Sequence, residues 1–251
     1  MAVPFMSCSA RLPIYMMIVG IFFPDNAGTV LFLLYLFGML MAVLTARLMR
    51  RFMFREQEAP FVMELSPYRI PTAKTTIRHM WSKCSEYLKK MGGLILIASI
   101  AVWMLSYYPR PENSNEPYSY EESYMGKVGK FMEPVFAPMD LEWQSSVAIL
   151  SGIPAKEIVV STMNVLYSNS NDSGDDGELS HEAKRGIADS MSLPSAVAFL
   201  IFSLLYLPCV ATIMAIGSEL NWRWALGSAV YNTAVAWLLA WAGYLITSLF
   251  V

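Results

Sequence analysis

Three prolines, Pro13, Pro154 and Pro208, stand inside apolar segments of this sequence. Proline lacks a backbone N–H, so within a helix it leaves the carbonyl four residues earlier without its usual donor. In lipid, such breaks are tolerated where they are buried in protein or face water, and many transporters build ion sites from them. A single proline in a membrane helix is more often only a kink, so its polar neighbours matter. The carbonyls predicted to be freed are those of Ser9, Leu150 and Leu204.

Polar side chains accompany all three prolines. In chain order they are Ser7, Cys8, Ser9, Arg11, Lys156, Glu157, Cys209 and Thr212. Thiolate, carboxylate, hydroxyl and carbonyl donors form a mixed soft and hard set, which suits a transition-metal ion such as Fe(II) better than Na⁺ or Ca²⁺. Ionisable residues within a membrane span are functional candidates by default, because placing them there is costly.

Structural roles remain open for the same residues. Lys156 and Glu157 could neutralise each other, or pair with Arg11, purely as structure. A cysteine in a membrane helix usually packs as a small apolar residue, and we expect this role for Cys84. The three cysteines include no CxxC spacing, so no disulfide framework is predicted.

The elements that carry these residues are predicted to be membrane helices. The chain is 55% hydrophobic and only 15% charged, which lies outside the usual range of soluble proteins. A bilayer crossing needs roughly 20 apolar helical residues, and the sequence has six such segments. They are residues 5–23, 27–49, 91–108, 145–167, 194–217 and 224–250. We therefore predict an all-α, polytopic membrane bundle with several proline-broken helices, since no segment alternates with the period of a barrel strand.

The distribution of basic residues predicts the orientation of these helices. Ten of the 18 Lys and Arg residues fall within residues 47–90, which is therefore expected to be cytoplasmic. Residues 109–142 are then an external loop with a short helix, and residues 168–193 an acidic loop on the cytoplasmic side. The remaining divisions are 1–49 for the first two helices, 50–90 for the basic loop, 91–108 for the third helix, 143–167 for a broken helix and 194–251 for the last two.

An amphipathic helix is predicted within the basic loop. Its apolar residues recur at spacings of three and four, and are Ile77, Met80, Trp81, Cys84, Tyr87 and Leu88. Basic residues on the same segment suit lipid head groups, so the helix either lies on the membrane surface or packs on its neighbours as a cytoplasmic helix.

Several motifs of the chain resemble ferrous iron transport protein B (FeoB), a family of prokaryotic Fe(II) transporters. The segments "PFMSCSARLPIY", "AKEIVVSTMNVLY" and "LLYLPCVATI" occur in the family's order. The resemblance extends through "PTAKTTIRHMWSKCSEYLKKMGGLILIASIAVW" and "NWRWALGSAVYNTAVAWLLA" to nearly the whole chain. It implies that Cys8 and Cys209 lie on a metal path with Glu157 nearby, and that the broken helices form gate segments.

The resemblance also implies what lies outside this sequence. Family members carry an N-terminal GTP-binding domain and further membrane helices, whereas this chain has no GxxxxGK[ST] loop to cradle nucleotide phosphates. We expect a non-enzymatic C-terminal portion in the prokaryotic inner membrane, with Fe(II) as the transported ion. The expected partners are the G domain, the remaining helices, small accessory proteins of the same system, the lipid bilayer and a possible second copy, but no nucleic acid.

Two other functions remain open. The chain could be a non-transporting scaffold whose basic residues 47–90 dock a cytoplasmic G domain, or a permease for another small solute. A membrane enzyme is disfavoured, because the sequence has no HExxH motif and its two histidines, His79 and His181, lie in separate regions.

Overall fold

The computed structural model describes Phe5 and residues 8–52, 72–109, 120–167, 181–219 and 221–250, in which all regular secondary structure is helical. These residues form ten α-helices: α1 Leu12–Phe22, α2 Ala27–Phe52, α3 Ala73–Tyr107, α4 Tyr124–Phe136, α5 Trp143–Ser151, α6 Ile158–Tyr167, α7 His181–Ser190, α8 Leu193–Leu205, α9 Val210–Glu219 and α10 Trp222–Phe250. The all-α prediction is confirmed.

Three segments of the described chain are long and apolar enough to cross a membrane, namely Pro24–Arg51, Leu193–Glu219 and Trp222–Phe250. The other three predicted spans contain shorter apolar helices, Ser9–Phe22, Ile95–Tyr107 and Ile158–Tyr167. Ile95–Tyr107 is the end of the longer α3, and α6 continues from α5 across a break. Each predicted apolar segment is therefore built from helices, two of the segments contain a break, and only three meet the length of a span by themselves.

Helix α3 joins two elements that the sequence analysis separates. It runs without interruption for 35 residues, about 52 Å at 1.5 Å per residue. The sequence-based boundary at residues 90 and 91 falls inside this helix, because neither proline nor a capping motif stands there and Gly92 and Gly93 weaken a helix without ending it. The described side chains of the predicted apolar face in its first half are exposed, with Trp81 at 75%.

The core is centred on α8, which contacts α1, α2 and α10. α8 begins at a capping serine, since the Ser192 hydroxyl accepts a hydrogen bond from the Ser195 N–H at 3.4 Å. Near its other end, the Phe202 ring meets Phe136 edge-to-face with centroids 5.2 Å apart and stacks on Tyr206 at 5.4 Å. This packing fixes the end of α8, where the chain leaves helical geometry.

Helix α10 packs against α8 through small residues. Its buried residues are Ala225, Ser228, Ala229, Asn232, Ala236 and Ala240. Gly243 lies on the same face, and a Cβ at this position would collide with the Ile201 side chain of α8. Small residues let membrane helices approach closely, which strengthens their van der Waals contact.

Two of the predicted loops contain helices that pack on the bundle. α4 lies in the predicted external loop and contacts α5 closely, because a Cβ at Gly129 would collide with Val147. α7 lies in the predicted acidic loop, where Ala183 and Ile187 are fully buried. Residues 181–190 of that loop thus belong to the folded core.

Candidate functional site

The chain between α5 and α6 leaves helical geometry around Pro154. The Leu150 carbonyl, predicted to be free, accepts a hydrogen bond from the Ile153 N–H at 3.1 Å. The Ile153 carbonyl in turn accepts from the Val210 N–H, at the start of α9, at 3.3 Å. A backbone hydrogen bond therefore ties this break to the one around Pro208.

Lys156 connects the same two breaks through its side chain. The residue is only 3% exposed, and its ammonium donates to the Leu207 carbonyl at 3.0 Å. The ammonium also lies 3.1 Å from the centroid of the Tyr206 ring, a cation–π contact that gains strength when water is excluded. Glu157 is exposed and does not pair with this ammonium, so mutual neutralisation of the two residues is wrong.

Residues 206–209 form the second break, between α8 and α9. The Tyr206 hydroxyl donates to the Ile149 carbonyl at 3.4 Å, and Cys209 is partly exposed with its sulfur 3.3 Å from the Thr212 hydroxyl oxygen. The Cys209 carbonyl accepts from the Thr212 and Ile213 N–H groups at 2.9 and 3.1 Å. α9 therefore begins directly beside the thiol.

Pro13 does not interrupt a helix. It lies in the first turn of α1, after a 3₁₀ turn at Ser9–Arg11, where proline is favoured because its missing N–H would have no intrahelical partner. The Ser9 carbonyl accepts from the Leu12 N–H, so the predicted freed carbonyl is also absent here. The mostly polar residues 7–11 precede Pro13 and apolar residues follow it, and this pattern was an available signal for a helix start.

The start of α1 nevertheless reaches the two breaks. Cys8 is exposed and Arg11 is buried, while Ser7 lies outside the described residues. Helix α1, which follows Cys8 and Arg11, contacts both α6 and α8, the helices that flank the two breaks. Three segments far apart in the sequence therefore converge.

The convergent site holds two buried basic side chains, Arg11 and Lys156, and the partly exposed Cys209 thiol, while Cys8 is exposed. Among the described residues, no three His, Cys, Asp or Glu side chains come together as a ready metal cluster. The predicted set of Cys8, Cys209 and Glu157 is thus not assembled around one point. A metal ion at this site would use thiol, hydroxyl and carbonyl donors, and Lys156 already occupies one of those carbonyls, that of Leu207.

The sequence analysis misses two buried polar residues, one at the site and one on α10. Tyr206 supplies the ring beneath Lys156. A tyrosine two residues before Pro208 in an apolar segment was an available signal, because a buried tyrosine hydroxyl needs a hydrogen-bond partner. Asn232, on α10, is fully buried. No proline or charge stands near Asn232 in the sequence, so only its polarity within an apolar run marked it.

Comparison with known proteins gives two family matches. One family, described as "Gate: Nucleoside recognition", matches residues 88–223, and another, described as "Ferrous iron transport protein B C terminus", matches residues 31–83. No solved structure matches the chain.

Three similar curated proteins have related names. A Porphyromonas gingivalis protein named as a fusion of Fe(2+) transport protein A and Fe(2+) transporter FeoB is 42% identical over 98% of this chain and 34% of its own length. The Fe(2+) transporter FeoB of Campylobacter jejuni is 37% identical, over 95% of this chain and 40% of its own. That of Methanocaldococcus jannaschii is 36% identical, over 94% and 35%. The chain therefore spans two fifths or less of the length of these relatives.

Proposed function

The chain belongs to the ferrous iron transport protein B family, and from this premise we propose that it forms the C-terminal part of an Fe(II) path through the membrane. The observation that carries the proposal is the meeting of the two helix breaks at Lys156, with the Cys209 thiol in the second break and α1, which follows Cys8, in contact with α6 and α8. Broken helices that meet inside a bundle are the usual way for a membrane protein to present backbone carbonyls and polar side chains to an ion.

The spacing of donors at Cys209 supports a first-row divalent ion. Such an ion lies about 2.3 Å from sulfur and 2.1 Å from oxygen, as zinc sites show. With the Cys209 sulfur and the Thr212 oxygen 3.3 Å apart, one ion bound to both would subtend roughly 97° between them at those bond lengths. Two neighbouring ligands around one ion commonly have such an angle, so these side chains need little movement to share Fe(II).

Lys156 is proposed to hold the path closed. Its side-chain nitrogen occupies the Leu207 carbonyl, a group that a passing cation would otherwise use. Opening therefore requires the ammonium to leave this carbonyl. In the whole transporter, the proposed cause of that movement is the nucleotide state of a GTP-binding domain, which must contact the open and closed arrangements differently.

The setting of the path is also proposed from the family. The chain is expected to be a multi-pass part of the prokaryotic inner membrane, and its role is passage of the ion, while GTP hydrolysis resides in another domain. The G domain and the other helices of the transporter are its expected partners. The Porphyromonas gingivalis relative, named as a fusion with Fe(2+) transport protein A, supports that small protein as a further partner.

Cysteine replacement in the complete transporter tests this proposal. Cys8→Ser and Cys209→Ser are each expected to lower the initial rate of radiolabelled Fe(II) uptake into proteoliposomes, because serine is a harder and weaker ligand than a thiolate for this ion. Cys84→Ser is the matched control, since Cys84 is exposed on α3. Wild-type uptake by the Cys8→Ser, Cys209→Ser double variant would rule out thiol ligation.

A further inference from the structure

Helix α10 carries two buried polar side chains with no protein partner. Asn232 is 0% exposed and Ser228 is 1% exposed. Neither the nitrogen nor the oxygen of the Asn232 carboxamide has a hydrogen-bond partner, and the Ser228 hydroxyl has none either. A buried amide without partners costs free energy, and buried polar groups in native proteins are nearly always satisfied by protein, water or a bound ion.

The two residues lie on the face of α10 that meets α8. Ser228 and Asn232 are one helical turn apart, and Gly243, which abuts Ile201 of α8, is eleven residues beyond Asn232. Eleven residues turn a helix through almost three full turns, so Asn232 and Gly243 share one face. The other buried residues of α10 are alanines, so Ser228 and Asn232 are the only buried polar residues of this helix among those described.

The register of the helices predicts that Asn232 lies near the break at residues 206–209. α9 and α10 are joined by a short connection and pack together, so the α8–α9 segment runs antiparallel to α10. Asn232 is eleven residues from Gly243, and the same distance along the opposite segment from Ile201 would end at Thr212 if that segment were helical throughout. If residues 206–209 advance at the larger rise of extended chain, the same axial distance ends near Cys209.

We propose that the Asn232 carboxamide oxygen and the Ser228 hydroxyl line the cation path at this break and replace water around the passing divalent ion. This inference rests on the proposed function. It adds lining residues from α10, a helix that has no proline and no cysteine near them. The chemistry is complementary to that of the thiols, because uncharged oxygen donors bind a divalent ion weakly enough to release it. The unbroken helix α10 thereby contributes side-chain donors opposite the backbone carbonyls and thiol of the broken helix.

The test uses the complete transporter in proteoliposomes, with radiolabelled Fe(II) as the probe. Asn232→Leu keeps the volume of the side chain and removes both polar atoms. We expect the initial uptake rate to fall about tenfold, the loss that follows removal of one favourable contact with a charged group. We also expect the thermal midpoint of the purified transporter to stay the same or rise, because an unsatisfied buried amide has been removed.

Two further variants keep the test decisive. Ser228→Ala changes the volume little, so it tests the inference even if Asn232→Leu fails to fold; a fall in uptake of about threefold is expected from the loss of this weaker donor. Thr233→Val is the matched control, because the Thr233 hydroxyl donates to the Ala229 carbonyl of its own helix at 2.9 Å. Its uptake should equal that of the wild type.

The outcomes separate this inference from the proposed function. Normal Fe(II) uptake by both Asn232→Leu and Ser228→Ala, with Cys209→Ser impaired, would overturn the inference alone and would mean that water satisfies the amide. Reduced uptake accompanied by a lower thermal midpoint would also overturn it, because the amide would then be a structural contact. Absence of Fe(II) uptake by the wild type would overturn the proposed function and this inference together.

Discussion

The last two membrane-length segments of the chain, Leu193–Glu219 and Trp222–Phe250, differ in how they use the bundle. In the first, 44% of the residues in its most apolar 18-residue stretch are buried, and the helix is broken around Pro208. In the second, 17% of the residues in the corresponding 18-residue stretch are buried, and the helix is continuous. The broken segment presents backbone carbonyls and a thiol, whereas the continuous one presents small residues that let the other approach. A helix in lipid can expose its backbone to an ion only where it breaks, and such a break must be surrounded by protein.

Removing the proline of the broken segment should give the largest effect. Pro208→Ala restores a backbone donor and lets a helix continue through residues 206–209, which would move the Leu207 carbonyl away from Lys156. We expect Fe(II) uptake by the complete transporter to fall by at least about tenfold, because the carbonyls of a broken helix form the ion site.

Pro13→Ala is the matched control for that change. Pro13 begins α1, and its replacement removes a favourable residue from a helix start without altering a break, so uptake should stay within about twofold of the wild type. Equal sensitivity of the two positions would show that the break at residues 206–209 has no special role in transport.

Adding a side chain at Gly152, where the first break packs against Tyr206 of the second, should destabilise the protein next most strongly. A Cβ at Gly152 would lie 2.6 Å from the Tyr206 hydroxyl oxygen and would also collide with Val159. Gly152→Ala should therefore cost about 1–3 kcal/mol, the usual range for overpacking a core. Thermal unfolding of the purified transporter in detergent measures this loss.

Gly227→Ala extends the comparison to the continuous helix. A Cβ at Gly227 of α10 meets nothing within 4 Å, so the substitution should be neutral or stabilising by up to about 1 kcal/mol, as expected for Gly to Ala within a helix. Equal losses at the two glycines would contradict the close packing assigned to the broken region.

The cation–π contact at the break predicts an intermediate effect. Tyr206→Leu removes the ring beneath Lys156 and should cost about 1–2 kcal/mol, while Tyr206→Phe keeps the ring and should cost less than about 1 kcal/mol, since the hydroxyl contact is long. In a Lys156→Met background, the difference between Leu and Phe at position 206 should shrink. An unchanged difference in thermal stability would show that the ring acts only by packing.

The smallest effect is expected on α10, where one hydrogen bond reaches another element. The Trp237 indole N–H donates to the Val135 carbonyl of α4 at 2.9 Å. Trp237→Phe should cost about 0.5–1.5 kcal/mol, the net value of one hydrogen bond. Trp241 stacks on Trp237 with centroids 6.0 Å apart, and Trp241→Phe keeps an aromatic ring there. A loss from Trp241→Phe as large as that from Trp237→Phe would contradict a specific hydrogen bond.

The apolar segments and two of the three breaks were predictable from sequence, because membrane helices have a compositional signature and proline acts on its own helix. The start of α1 at Pro13 was missed, because the predicted apolar segment began at residue 5 and so included the mostly polar residues 7–11 that precede the helix. The union of the amphipathic segment with the third span into α3 was missed for a related reason. The side chains change from mostly polar to mostly apolar at residue 90, but nothing in the sequence there ends the helix.

The composition and the order of residues determined that this chain is helical, largely apolar and interrupted at Pro154 and Pro208. Tertiary structure alone decided that the Lys156 ammonium binds the Leu207 carbonyl and the Tyr206 ring and not Glu157, and that Asn232 is buried on the face of α10 toward α8. The physical reason is the separation along the sequence over which each effect acts. Propensity and proline geometry act over a few neighbouring residues, whereas the partner of a buried charge or amide is set by which helices pack together.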